Sequence, residues 1–142
     1  MARASYDHLN CSIARTMEVI GDAWTPLILR DIAIGITRFD ALQRDLGISR
    51  KVLSERLAAL VEHGVLAREP YQDKPTRYDY YPTEKGADLG FVLLAMQTWG
   101  NRWIFGETGP HQDFREQIAS STAQPPVQPM SGSPCAGIGP DL

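Results

Sequence analysis

Two cations and a hydroxyl crowd the start of the segment Ser49 to His63, where they could hold phosphate groups. Arg50, Lys51 and Ser54 share one side of a predicted helix, and Arg56 lies at its flank. Acidic residues are the usual choice in a first helical turn, because the helix dipole favours negative charge there. Cations at this end make sense if the helix meets an anion, which the dipole also favours. The pattern predicts contact with phosphates and base edges of nucleic acid.

A solvated charged face is the alternative interpretation of these residues, since most charged helix faces simply meet water. Arg56 lies near the apolar side of the helix, so an internal ion pair also stays open for it. Glu55 could accept a hydrogen bond from a cytosine amino group, or pair with Lys51 four residues back.

Cations also flank a second candidate site, the predicted hairpin formed by residues 65–71 and 77–81. Lys74 lies in the connecting loop Gln72-Asp73-Lys74-Pro75, and Arg77 begins the second strand. Both could hold phosphates. The alternative is a charged hairpin edge that discourages edge-to-edge aggregation.

Cys11 is the residue whose chemistry could be redox chemistry. It begins a predicted helix through Ile20, where the dipole lowers the pKa of a thiol, and Arg15 lies one turn on along the same face. A reactive thiolate and a small packing cysteine at a subunit interface are both consistent with this position. Cys135 lies far away in the tail, so a bridge between two copies of Cys11 is the simpler redox hypothesis.

No catalytic site, metal site or cofactor site is predicted. A thiol enzyme built on Cys11 would need a histidine base or partner motif, and the sequence offers none. His8 and Cys11 have a spacing seen in metal sites, but two further ligands are missing nearby.

The phosphate-binding candidates lie on a helix that another helix precedes. Ser49 is a good N-cap for the first helix, and Gly64 is placed to end it in the left-handed conformation. Before it, Thr37 to Asp40 resembles a capping box that starts a helix through Leu46, and Gly47-Ile48 provides a tight turn. Helix, tight turn and basic-headed helix together predict a helix-turn-helix. A short strand at 36–38 and a helix opened by Pro26 come before it.

The long helix predicted from Thr83 to about Ile104 is apolar on more than one face. One small domain cannot bury that much apolar surface, so we expect a subunit interface formed by this helix and the first one. The residues expected at this interface are Ile13, Met17, Leu89, Val92, Leu93, Met96, Trp99 and Trp103.

Charge and composition divide the chain into three parts. Residues 1–10 read as a mobile arm, residues 11–105 as one domain, and residues 106–142 as a disordered tail that holds six of the ten prolines. The tail carries one cation against four acids, which accounts for the whole net charge of −3. Two cysteines form no disulfide framework and residues 1–10 contain no secretory signal, so a cytoplasmic protein is expected.

Several stretches resemble the HxlR-type winged helix-turn-helix transcriptional regulators, distant relatives of the MarR group. The matching stretches are CSIAR at 11–15, VIGDAWTPLILRDIAIGITRF at 19–39, LGISRKVLSERLAALVEHGVL at 46–66, RYDYYPTEKG at 77–86 and WGNRW at 99–103. They follow the family's order and spacing. The sequence has Pro82 where the family usually has an aliphatic residue. Because proline has no backbone N–H, the pairing of the last strand is in question at this position.

The resemblance implies a mainly α fold with a small β-hairpin wing, and N- and C-terminal helices that form a homodimer. It implies a DNA-binding regulator, more often a repressor, on an inverted-repeat operator whose half-sites lie roughly 34 Å apart. Some family members sense oxidants through a cysteine at the position of Cys11, and a small-molecule effector also stays open. The rival hypothesis is a winged helix that binds protein partners and has lost DNA affinity. The residues expected to contact DNA are Ser49, Arg50, Lys51, Ser54, Arg56, Lys74 and Arg77.

Overall fold

The computed structural model describes residues 5–106 of the 142-residue chain. The elements in chain order are α1 (Ser12–Ile20), α2 (Thr25–Ala33), α3 (Phe39–Leu46), α4 (Arg50–Glu62), β1 (Leu66–Asp73), β2 (Thr76–Pro82) and α5 (Glu84–Gly100), which a π-helical turn continues through Asn101–Phe105. None of the described helices is both long enough and apolar enough to cross a membrane. The predicted mainly α fold with a hairpin wing is confirmed.

Helix α4 forms as its sequence predicts. The Ser49 hydroxyl accepts a hydrogen bond of 3.2 Å from the Val52 amide and so caps the helix. Its apolar stripe is buried in the core through Leu53, Leu57 and Leu60. Burial of this stripe leaves the opposite face, which carries the cations, directed to the surface.

Helix α3 begins one residue later than the capping box predicts, because the N-cap residue is Arg38 and not Thr37. The Arg38 side chain makes no capping bond. The Thr37 hydroxyl instead donates to Asp79 at 3.1 Å, and the Asp40 carboxylate accepts from two arginines. The capping-box prediction is therefore wrong, because tertiary partners take both side chains. Gly47, at φ 66, makes the predicted tight turn into α4.

The two strands form an antiparallel hairpin that packs against α2, α4 and α5. The pairing runs from Leu66 opposite Pro82 to Asp73 opposite Thr76, with an irregularity between Pro70 and Gln72. Pro82 ends its strand, where a missing amide is tolerated, so it does not disturb the pairing. The short strand expected at 36–38 is reduced to one isolated bridge between Arg38 and Asp79.

The core lies between α2, the helix-turn-helix, the base of the hairpin and α5. Its least exposed apolar side chains are Ile28, Leu42, Leu53, Leu57, Leu60, Val65 and Leu66. Helix α5 starts against this core, and the Thr83 hydroxyl caps it by accepting from the Gly86 amide at 3.1 Å. Gly86 packs directly against the backbone of Val65, and a Cβ at position 86 would lie 2.0 Å from the Val65 carbonyl oxygen.

The predicted arm and tail fall mostly outside this description. Residues 5–10 of the arm contact α1, since the Tyr6 amide donates to Glu18 Oε1 at 2.8 Å. Of the predicted tail at 106–142, the structure describes only Gly106.

Candidate nucleic-acid interface

The first turns of α4 present Arg50, Lys51 and Ser54 on the surface, as predicted. The pairing of Lys51 with Glu55 that the sequence left open does not form: within residues 5–106, no acidic side chain pairs with Lys51. The Lys51 ammonium is therefore available to an anion. Ser49 is exposed too, although its hydroxyl already caps the helix.

Arg50 lies across the preceding helix instead of pointing freely into solvent. Its Nη1 donates to Asp40 Oδ1 at 3.2 Å and to Gln43 Oε1 at 3.3 Å. Its guanidinium lies 4.8 Å from the centre of the Phe39 ring. These contacts place the cation at the junction of the two helices of the helix-turn-helix, with 67% of its side chain exposed.

Arg77 joins Arg50 on the same carboxylate. Its Nη1 donates to Asp40 Oδ2 at 3.2 Å, so one aspartate carries an arginine from α4 on one oxygen and an arginine from β2 on the other. Strand β2 of the wing and the N-terminal end of α4 are thereby connected through Asp40. Lys74 lies apart from them, exposed in the loop at the tip of the hairpin.

Arg56 does not belong to this exposed face. Its side chain is 19% exposed and its Nε lies 3.5 Å from Oδ1 of Asp22, which is 14% exposed, without hydrogen-bond geometry. The internal ion pair that the sequence left open is therefore what the fold forms. Arg56 turns inward because its position at the edge of the apolar stripe points it at the segment before α2.

Asp22 is held by more than this one charge. Its carboxylate accepts from the amides of Trp24 and Thr25 and from the Thr25 hydroxyl. Burial raises the pKa of Asp22, but these hydrogen bonds and the charge of Arg56 outweigh it, so the pKa lies below its ordinary value. Asp22 is ionised at neutral pH and attracts Arg56 to the inside of the domain.

A further cation, Arg38, was missed by the sequence analysis. Its Nε donates to Asp79 Oδ1 at 3.1 Å, and its guanidinium lies 3.8 Å from the centre of the Tyr71 ring. It is exposed and contacts both strands of the wing through these two residues. Sequence periodicity does not indicate Arg38, because this residue precedes α3 as its N-cap and belongs to no helix or strand.

The apolar surface expected for a subunit interface is present on α1 and α5. Among the predicted residues, the exposed fraction is 73% for Ile13, 61% for Trp99 and 64% for Trp103. Met17, Val92 and Met96 are exposed to a smaller extent. Leu93 is instead buried and Leu89 packs against the core of its own chain, so these two have little surface left for a partner. Ile104 and Phe105, which the prediction did not include, extend the exposed apolar surface.

Cys11 is the N-cap residue of α1 and is half-buried. The guanidinium of Arg15 lies 3.5 Å from Asp7 and 3.5 Å from Glu18, so two carboxylates already compensate its charge. The stabilisation of a Cys11 thiolate by Arg15, which the sequence suggested, is weakened accordingly. Among the described residues, no group of three His, Cys, Asp or Glu side chains could hold a metal ion.

Comparison with known proteins adds independent observations. Residues 19–108 match the family described as HxlR-like helix-turn-helix. An HTH-type transcriptional regulator of Mycobacterium tuberculosis is 40% identical over 114 residues, which cover 80% of this chain and 72% of that protein.

Solved structures agree with this match. The candidate transcription factor PA1607 superposes with a TM-score of 0.65 at 34% identity, over 92% of this chain and 83% of its own. The redox regulator HypR in its reduced form superposes with a TM-score of 0.59 at 29% sequence identity, over 68% of this chain and 98% of its own. Reduced YodB, a transcriptional regulator from Bacillus subtilis, superposes with a TM-score of 0.56 at 29% sequence identity, over 66% of this chain and 94% of its own.

Proposed function

Because the chain belongs to the HxlR-like helix-turn-helix family of transcriptional regulators, we propose that it binds a specific inverted-repeat operator as a homodimer and represses transcription there. The observation that carries the proposal is the division of α4 into two faces. Leu53, Leu57 and Leu60 anchor the helix in the core, while Arg50 and Lys51 are presented at its exposed N-terminal end. This is the arrangement that a helix entering the major groove requires.

The cations divide between two tasks in this proposal. Lys51 and Ser54 reach base edges or phosphates in the major groove, and Arg50 contacts the backbone or a guanine at the groove edge. Arg77 and Lys74 of the wing hold the flanking phosphates, which position the protein without reading sequence. Arg56 has no part in the contact, because it is committed to Asp22 inside the domain.

The dimer is formed by the exposed apolar side chains of α1 and α5. Ile13, Met17, Val92, Met96, Trp99 and Trp103 supply this surface. Exposed tryptophans and methionines at helical spacing are typical of interface cores, where aromatic residues and methionine are enriched. Two-fold pairing of this face would present two α4 helices to successive major grooves.

The effector in this proposal is an oxidant acting on Cys11. The half-buried position of Cys11 at the start of α1 supports it, because α1 also carries part of the proposed dimer surface. Oxidation of the thiol at this position would then alter the spacing of the two α4 helices. One of the structural neighbours is a redox regulator, which is consistent with this effector. The protein has no enzymatic step in this proposal and acts in the cytoplasm, where the chromosome lies.

Selection from a random duplex library followed by hydroxyl-radical footprinting tests the proposal. The full-length protein should enrich an inverted repeat and protect two half-sites about 34 Å apart, one helical turn. Protection of a single half-site would contradict the homodimer. Failure to enrich any sequence would contradict operator binding and favour the rival function, a winged helix that binds protein partners.

A further inference from the structure

We propose that Asp40 sets the specificity of DNA binding by holding Arg50 and Arg77 away from the phosphates of non-specific DNA. The inference rests on the proposed function, since it concerns how that interface chooses between DNA sequences. Asp40 itself has no positive charge to contribute, so its role is to control two side chains that do.

The geometry is a carboxylate shared between two elements. Oδ1 of Asp40 accepts from Arg50 Nη1 at 3.2 Å and Oδ2 accepts from Arg77 Nη1 at 3.2 Å. Each oxygen thus holds one of the two arginines that connect α4 and the wing to the nucleic acid. All three side chains are about half exposed or more, so a phosphate can reach the cluster.

A carboxylate and a phosphate are alternative partners for the same guanidinium. A non-specific phosphate that takes Arg50 or Arg77 must displace Asp40 and remain beside its negative charge. The exchange of one anion for another therefore gives little net attraction. On the operator, the remaining N–H groups of Arg50 donate to a guanine edge, which carries no charge, so Arg50 contacts the base without leaving Asp40. The cost of displacing Asp40 from Arg50 therefore falls on non-specific DNA, and Asp40 lowers the affinity for non-specific DNA more than the affinity for the operator.

The fold does not need Asp40 to keep the wing in place. A separate set of contacts fastens the hairpin to the start of α3: Asp79 accepts from Arg38 and Thr37 at 3.1 Å each, and the Tyr80 amide donates to the Thr37 carbonyl at 2.9 Å. Asp40 lies on the outer side of α3, opposite the buried Leu42. Because the wing and the core are held without the contacts of Asp40, these contacts point to a role in binding.

The experiment compares Asp40→Asn with Asp73→Asn in the full-length protein. Both substitutions remove one negative charge from an exposed side chain near the wing, but within residues 5–106 the Asp73 carboxylate pairs with no cation. The probes are a labelled duplex enriched by the wild-type protein and a scrambled duplex of the same composition, each titrated at several salt concentrations. Thermal unfolding at equal protein concentration accompanies every variant.

Asp40→Asn should bind the scrambled duplex about three- to tenfold more tightly, the combined strength of two exposed ion pairs. Its ratio of specific to non-specific affinity should fall by about threefold or more. The salt dependence on the scrambled duplex should steepen by roughly 0.9 for each arginine released to a phosphate. Asp73→Asn should leave both the affinity ratio and the salt slope as in wild type.

Equal affinity ratios for Asp40→Asn and Asp73→Asn would overturn the inference while leaving the proposed function intact. So would a rise in non-specific affinity that persists when Arg50 and Arg77 are both replaced by glutamine, because Asp40 would then act through charge alone. Failure of the wild-type protein to enrich any duplex would instead overturn the proposed function itself.

Discussion

Replacement of Arg56 by alanine should destabilise the fold and leave the DNA contact unchanged. The residue lies on the same helix as Lys51, and a helical wheel alone places it beside the basic face. In the structure its guanidinium is turned inward to Asp22, and both side chains are less than one fifth exposed. Substitution of Arg56 should therefore lower the stability of the fold and leave DNA affinity unchanged, whereas substitution of Lys51 should lower DNA affinity and leave stability unchanged.

The size of the stability effect follows from the surroundings of the pair. Removing one partner of a fully buried ion pair costs about 3–5 kcal/mol, whereas exposed pairs contribute about 0–1 kcal/mol. Arg56 and Asp22 lie between these limits, and the hydrogen bonds from Trp24 and Thr25 continue to stabilise the Asp22 carboxylate. We expect a loss of about 1–3 kcal/mol in the free energy of unfolding. For a domain of about 100 residues this lowers the Tm by roughly 5–20 °C.

Thermal and urea unfolding at one fixed protein concentration measure this loss, because a dimer would make the Tm depend on concentration. Lys51→Ala is the matched control on the same helix. It should unfold like the wild type but bind the operator roughly tenfold or more weakly, with a shallower salt slope. An Arg56→Ala protein of wild-type stability, or one whose salt slope falls as that of Lys51→Ala does, would refute the assignment of Arg56 to the interior.

The same pair predicts a pH dependence. The pKa of Asp22 is lower in the folded protein than its ordinary value of 3.8, so its ionised form stabilises the fold above that value. This stabilisation is lost as the pH falls through the lower, folded pKa. The stability difference between wild type and Arg56→Ala should consequently be constant near neutrality and shrink below about pH 4. A difference that grows in acid would contradict the downward shift.

Three other substitutions test separate parts of the account. Gly86→Ala should lower the free energy of unfolding by about 2 kcal/mol or more in urea titrations, because its Cβ would lie 2.0 Å from the Val65 carbonyl oxygen and force α5 to move; wild-type stability would show that α5 shifts freely. Trp99→Asp should convert the dimer to a monomer in sedimentation measurements, since Trp99 is 61% exposed on the proposed interface; a persistent dimer would move the interface elsewhere. Cys11→Ser should bind DNA like the reduced wild type but lose any release by peroxide or quinone; release of the mutant by oxidants would end the thiol hypothesis.

Elements defined by local residues were predictable from the sequence. Helix α4 depends on the Ser49 cap and the spacing of its leucines, and α5 depends on the Thr83 cap, so a local pattern contained the information needed. The hairpin depends on two β-favouring runs around a loop. The resemblance to known regulators added the order of these elements and the dimer hypothesis.

Contacts between distant segments could not be predicted in the same way. Asp22 and Arg56 are 34 positions apart, and only the tertiary fold decides that they meet. The local sequence predicts Asp40 as part of a helix cap, but in the structure one of its carboxylate oxygens accepts from Arg77, 37 positions away. Helical periodicity likewise marked Leu93 and Trp99 as apolar, but it does not say which of them faces the domain's own core.

The most direct test of the account is fluorescence anisotropy of the full-length protein on the intergenic DNA upstream of its own gene. An unrelated duplex serves as competitor, and the titration is repeated at several salt concentrations. We predict tight binding that resists the competitor and weakens log-linearly with salt, as the release of counterions from several phosphates requires. Weak binding that is equal on both duplexes would contradict recognition of that operator. Absence of binding even at low salt would contradict DNA binding by α4 altogether.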